Sequence, residues 1–157
     1  MKIHIGSDHA GFEMKQSLVT YLSELGYEVH DLGPKHFERE DDYPDTIAPV
    51  AREVAADPKG SVGIVLGYSG TGEAIVANRF RGVRAANFYG GTMEIIRLSR
   101  EHNDANILSL GAGFLNDELA KQAVKLWLDT KFTPQARHVR RIEKIDHVSE
   151  TGQSPLL

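Results

Sequence analysis

Hydrophobic positions along this chain fall into two alternating rhythms. Short apolar runs bounded by glycine or polar residues are followed by longer stretches in which apolar residues recur every three or four positions. Lys2 to Gly6 reads as a first strand. Phe12, Leu18, Val19, Leu22 and Leu25 then repeat at helical spacing until Gly26 stops the helix. Tyr27 to Asp31 is a second strand, and a polar loop from Gly33 to Asp42 leads to Tyr43-Pro44-Asp45, where Asp45 is expected to cap a helix through Val54. Val62 to Leu66 is a third strand without strict alternation, as expected for one covered on both faces. A helix runs from Ala74 toward Arg79. Val83 to Asn87, the helix Met93 to Arg100, the strand Ile107 to Leu110 and the long amphipathic helix Leu115 to Leu128 follow. Regular alternation of this kind predicts an α/β fold, with a parallel five-stranded sheet and helices on both faces. Arg137 to Ile145 adds a basic C-terminal helix. No linker or internal repeat breaks the pattern, so residues 1–157 are expected to form one domain.

The chain is organised around the third strand and the turn after it, Gly67-Tyr68-Ser69-Gly70-Thr71-Gly72-Glu73. Its glycines let a ligand approach the backbone, and the N–H groups opening the next helix suit a phosphate or a developing oxyanion. Glu73 stands beside them as an acid or base, although a tight βα turn with a solvated Glu would need the same residues. Three motifs nearly match. The glycine spacing is that of a nucleotide P-loop, but Glu73-Ala74 replaces Lys-Ser/Thr, and a carboxylate there repels polyphosphate. Thr71 stands where a nucleophile elbow needs its second glycine, which weakens a hydrolase using Ser69. Ile75 replaces the last glycine of a dinucleotide fingerprint.

Composition narrows the class. The chain is 41% hydrophobic and 25% charged, ordinary for a globular protein, and its net charge of −4 argues against nucleic-acid binding. Cys is absent, which removes disulfides, thiolate metal sites and cysteine catalysis. No apolar run reaches membrane-spanning length and Met1-Lys2-Ile3 leads directly into a strand, so no membrane association and a cytoplasmic location are expected. His9 and His102 lack the spacing of a metal pair, so no metal is expected. Ligands of parallel sheets gather beyond the carboxyl ends of the strands. Asp8, His9, the Ser69–Glu73 turn and Gly111–Gly113 all follow strands, and Asp42-Tyr43-Pro44 is placed to fold over the same edge. His102 is expected to sit near these strand ends. Arg137 and Arg141, four apart on one helix face with His138 beside them, read either as a solvated cationic face or as an anion clamp.

Taken together, the residues resemble the ribose-5-phosphate isomerase B family, which includes galactose-6-phosphate isomerase subunits. The resemblance runs from Lys2 to about Lys144. It is carried by Gly6-Ser7-Asp8-His9-Ala10-Gly11, Asp42-Tyr43-Pro44-Asp45, Ser69-Gly70-Thr71-Gly72, Ala77-Asn78-Arg79, Gly82-Val83-Arg84-Ala85, Arg100 to Asn106 and Arg137-His138. It implies a Rossmann-like sheet and aldose–ketose isomerisation of a sugar phosphate, in pentose phosphate metabolism, without metal or cofactor. It also implies a homodimer with active sites at the subunit interface, to which the basic tail and the His102 loop contribute from different subunits.

By that resemblance His102 opens the sugar ring, with Asp8 and Thr71 assisting. The family divides into a branch with a cysteine base and one with Ser at that position and a glutamate base. Ser69 and Glu73 match the second. Backbone N–H groups from Gly70 to Ala74, Gly72 among them, would stabilise the enediolate, with Asn103 assisting. His9, Arg137, His138 and Arg141 would hold the phosphate, and Tyr43 would bind substrate. One departure stands out: the family usually places a phosphate-contacting arginine after Leu110-Gly111-Ala112, and this chain has Gly113. The expected activity is interconversion of ribose 5-phosphate and ribulose 5-phosphate. The alternatives are an isomerase of another aldose phosphate, a hexose or tetrose, or a non-catalytic sugar-phosphate binder. An intact Glu73 and His102 argue against the binder.

Overall fold

The computed structural model describes residues 1–151; the end of the expected domain, 152–157, lies outside the described residues. Five parallel strands, β1 (Lys2–Ser7), β2 (Glu28–Asp31), β3 (Ser61–Gly67), β4 (Ala85–Phe88) and β5 (Ile107–Gly111), form one sheet in the order β2-β1-β3-β5-β4. Helices α1 (Phe12–Glu24), α2 (Tyr43–Ala56), α3 (Thr71–Ala77), α4 (Glu94–Glu101) and α5 (Asp117–Asp129) connect them, and α6 (Ala136–Thr151) ends the described chain. The chain leaves β1 toward β2 on one side and crosses to β3 on the other. The sheet therefore reverses direction between β1 and β3, where open α/β sheets leave a crevice.

β3 is buried at every residue, yet its side chains still alternate between two cores. Ile64 and Leu66 pack with Ile3, Ile5, Leu18, Leu22, Leu108, Leu110 and Trp127, whereas Val65 packs with Ile47, Val50, Val54, Ala77 and Ile107. Each such side chain contributes about 1.5–3 kcal/mol on burial. The two cores clamp β3, and with it the start of its C-terminal turn.

Most element boundaries shift by one or two residues from the sequence expectation, and three of the departures bear on the site. α2 begins at Tyr43, capped by Asp42 in extended conformation, so Asp45 lies in the first turn and is not the cap. Pro44 fits there because the first N–H groups of a helix have no intrahelical partner. β4 begins at Ala85 and not Val83, because Asn106 Oδ1 accepts Arg84 N–H at 2.8 Å and Asn106 Nδ2 donates to Gly82 O at 2.8 Å. Those bonds hold residues 82–84 as a turn. α3 begins three residues early, at Thr71, with Gly70 as its cap at φ +73°, a conformation glycine reaches without strain.

Candidate active site

The carboxyl ends of β1 and β3 bring together Asp8, His9, Ser69, Gly70, Thr71, Gly72 and Glu73. Glu73, in the first turn of α3, folds its side chain back over the end of β3. A Cβ on Gly67 would lie 2.5 Å from Glu73 Oε2, so glycine is what makes room for the carboxyl. Glu73 is only 4% exposed. Burial raises its pKa, the bond from its own N–H opposes this, and the nearby charges of Asp8 and Asp41 raise it further. A carboxyl with raised proton affinity is suited to shuttling a proton between neighbouring carbons.

Asp8 is buried at the end of β1 and its Oδ1 accepts Gly11 N–H at 2.9 Å. Burial raises its pKa against that bond and the charge of His9. His9 Nδ1 lies 2.6 Å from Asp41 Oδ1, and this bond raises the pKa of the imidazole. Tyr43 does fold over this edge: a Cβ on Gly72 would meet its ring, 2.9 Å from Cζ.

The turn itself is held from behind. Ser109 Oγ donates to Gly70 O at 2.6 Å, and Asn87 Nδ2 donates to Thr71 Oγ1 at 3.1 Å. Asn87 and Ser109 are register partners on β4 and β5. Ser69 Oγ accepts Thr71 N–H at 3.2 Å, a contact that ties the hydroxyl into the turn. Ala74 N–H is taken by Gly70 O, so the amides of the expected oxyanion set narrow toward Gly70 and Gly72.

The remaining sequence-predicted residues lie elsewhere. α4 carries the chain back to the start of β5, so His102, at the C-terminal cap of α4, and Asn103 sit at the amino-end edge of the sheet. The expectation that His102 joins the carboxyl ends within one chain is therefore corrected by the topology. β5 pairs with β3 from Gly63↔Ile107 to Gly67↔Gly111. At about 3.3 Å per residue, the two edges stand roughly 15 Å apart. The His102 ring lies 4.5 Å from that of His138. His138 is buried, with Nδ1 3.1 Å from Thr133 O and Nε2 accepting Arg137 Nε–H at 3.2 Å. Both ring nitrogens are engaged, so His138 holds Arg137 and is not itself presented outward. Arg137 and Arg141 are exposed on α6. An open groove of about 450 Å³ on this edge is lined by Asn78, Arg84, Ser99, Asn103 and Ile145, and not by Glu73.

Gly113, after β5, has ordinary backbone geometry, and the ring of Tyr68 covers the place its side chain would take, 2.6 Å (Cδ2) and 2.8 Å (Cζ) from an added Cβ. Tyr68 and Tyr89 both pack edge-on against Phe114, at 5.4 and 6.1 Å, and all three rings are exposed. Sequence reasoning missed this cluster, and also Asp41, Asn87 and Ser109. The signals were present in the acidic run Glu40-Asp41-Asp42 and in the lone polar residues inside apolar strands.

The family model of ribose/galactose isomerases matches residues 3–145. The chain belongs to that family. It is 37% identical over 155 residues to ribose-5-phosphate isomerase B of Mycolicibacterium paratuberculosis, covering 99% of this chain and 96% of the relative. Among solved structures it is similar to ribose-5-phosphate isomerase B of Mycoplasma genitalium with bound ribulose 5-phosphate. The TM-score is 0.91 at 34% identity, over 96% of this chain and 97% of that one. The Clostridium thermocellum enzyme gives a TM-score of 0.90 at 40% identity, over 98% and 100% of the two chains. The α/β Rossmann-like architecture and the sugar-phosphate isomerase class are those of the family. Among the described residues, no group of three or more His, Asp or Glu side chains is arranged to hold a metal ion, and no helix is long and apolar enough to cross a membrane.

Proposed function

We infer that this chain is an aldose–ketose isomerase that interconverts ribose 5-phosphate and ribulose 5-phosphate through an enediolate. The observation that carries the reading is the buried Glu73 carboxyl, with raised proton affinity, against the glycine turn at the end of β3. In the open-chain aldose, Glu73 takes the C2 proton as the C1 carbonyl gains negative charge. The N–H groups of Gly70 and Gly72 stabilise that oxygen. Glu73 then returns the proton to C1 while the proton of the C2 hydroxyl passes to the C1 oxygen and C2 becomes the ketone, so no net proton is gained or lost. Asp8 and Thr71 hold the substrate hydroxyls, Ser69 shapes the turn, Tyr43 closes one side, and His9 meets the phosphate.

His102 supplies ring opening, Asn103 assists the enediolate charge, and Arg137 and Arg141 contact the phosphate, His138 acting through Arg137. The roughly 15 Å between the two edges of one sheet supports a homodimer in which these five residues come from the partner copy. A cytoplasmic location accompanies the reading.

Ketose formation is measured on a panel of pentose, hexose and tetrose phosphates, with ribose 5-phosphate expected to give the highest kcat/KM. The shared site is tested by mixing inactive Glu73→Gln and His102→Ala chains after dissociation and reassociation. Random pairing places one intact composite site in half of the dimers, so activity is expected to recover to about a quarter of wild type. No recovery would contradict the composite site, and turnover confined to a hexose or tetrose phosphate would contradict the substrate.

A further inference from the structure

Asp41 enters none of the roles above, yet the fold fixes it closely. Its loop begins beside a buried lysine: Lys15 Nζ donates to Asp31 Oδ1 at 2.9 Å, to Asp31 Oδ2 at 3.0 Å and to Pro34 O at 2.6 Å. The loop ends at the start of α2, where the Tyr43 ring rests on Gly72. Between these anchors Phe37 packs edge-on against His9, with ring centroids 6.3 Å apart, and also against Phe12 at 6.1 Å. The Asp41 side chain is 10% exposed; Oδ1 meets His9 Nδ1, and Oδ2 is buried without a hydrogen-bond partner among the described residues.

We propose that Asp41 is the positioning residue for His9: it fixes the orientation and charge of the ring so that Nε2–H is the donor presented to the phosphate of the substrate. A neutral imidazole with Nδ1 bonded to a carboxylate keeps its proton on Nδ1 and presents a bare acceptor at Nε2, which repels an anion. Only the imidazolium both satisfies Asp41 and donates outward. Asp8 and Glu40 also face His9 with negative charge, but Asp41 alone is bonded to it, and that bond is the largest influence on its proton affinity. The same carboxylate acts on Glu73 and Asp8. One loop residue thus couples the anion-binding cation to the proposed base.

This inference rests on the assignment of His9 to the phosphate. The test compares wild type, Asp41→Asn and Asp41→Glu. Asparagine keeps an acceptor for Nδ1–H but removes the charge, so His9 should titrate nearer the ordinary imidazole value of about 6.5. At pH 8 the KM for ribose 5-phosphate in Asp41→Asn is expected to rise roughly tenfold or more over wild type, as the charge-assisted Nε2–H bond to the phosphate is lost with the ring's proton. At pH 5.5 both rings are protonated, and the ratio of variant to wild-type KM should return to near one. Asp41→Glu should restore most of the affinity at pH 8. A KM ratio that stays equally high at both pH values would overturn the proposal and leave Asp41 a loop-packing residue. In parallel, NMR titration of the His9 ring with and without inorganic phosphate requires no turnover. A His9 midpoint unchanged by Asp41→Asn would overturn the proposal even if isomerase activity were confirmed. A lowered midpoint with weaker phosphate binding would sustain it even if ribose 5-phosphate proved the wrong sugar.

Discussion

Gly113→Arg restores the arginine that the family usually carries, and the structure sets its expected effect. Gly113 does not have positive φ, so backbone strain is not the obstacle. The obstacle is the Tyr68 ring, which an added Cβ would approach to 2.6 Å at Cδ2. Tyr68 is 63% exposed and free to swing aside, losing its edge-on contact with Phe114. Such a contact contributes about 0.5–1.5 kcal/mol. A new charge-assisted phosphate contact contributes about 1.5–3 kcal/mol. The difference is centred near 1 kcal/mol, so the single variant should lower the KM for ribose 5-phosphate several-fold. The double variant Tyr68→Ala/Gly113→Arg removes the conflict and should lower it by roughly ten- to a hundredfold relative to Tyr68→Ala. Initial-rate kinetics and thermal melts read both effects. If the double variant melts normally and its KM for ribose 5-phosphate is unchanged or higher, the phosphate does not lie beside Gly113 and the pentose-phosphate placement is refuted. A rise in KM confined to a larger aldose phosphate would show instead that the glycine makes space.

Three further outcomes follow from named contacts. Gly67→Ala drives a methyl into the Glu73 carboxyl, so kcat should fall by at least tenfold while the variant remains folded by circular dichroism. Lys15→Met removes the buried ammonium from the Asp31 carboxylate and from Pro34 O, leaving Asp31 only Gly33 N–H and the exposed Lys35, and should destabilise by about 2–4 kcal/mol in urea melts. Burial would raise the pKa of Asp31, but its bonds from Lys15 and Gly33 and the charges of Lys15 and Lys35 bring it below the ordinary value. Its contribution to stability is therefore present above the unfolded-state pKa and is lost as pH falls through the lower folded-state value; this acid-side loss should be absent in Asp31→Asn. Glu73 has the opposite sign. Its raised pKa means that charging it in the folded state opposes folding above that pKa, so Glu73→Gln should melt higher than wild type at pH 7 and no higher at pH 3.5.

The order and type of every element were legible because apolar periodicity alternates so regularly between strand and helix. Boundaries were not, where a specific side chain overrides periodicity. Val83 carries strand propensity, but the Asn106 carboxamide ties its neighbours into a turn. Asp45 has the composition of a cap, but Pro44 fits the first turn and moves the start of α2 forward. At the site, the glycine turn announced itself, and Glu73 proved buried, as the proposed base requires. The placement of His102 followed from a rule already in hand. In a parallel sheet the residues before a strand lie at the edge opposite those after it, and His102 precedes β5. Gly113 showed that an arginine was missing, but only packing shows that Tyr68 occupies the place. Asp41 was hidden in the acidic run Glu40-Asp41-Asp42, of which one carboxylate bonds the imidazole.

The central claim, that Glu73 moves a proton between C1 and C2 of an aldose phosphate, is tested most directly by NMR of ribose 5-phosphate incubated with the protein in D₂O. Wild type is expected to form ribulose 5-phosphate and to introduce deuterium at C2 of the recovered aldose, because a proton held on Glu73 exchanges with solvent before it returns. Glu73→Gln should slow both processes together by roughly 10²–10⁴-fold. Isomerisation with no deuterium incorporation, or exchange at an unchanged rate in Glu73→Gln, would contradict the account.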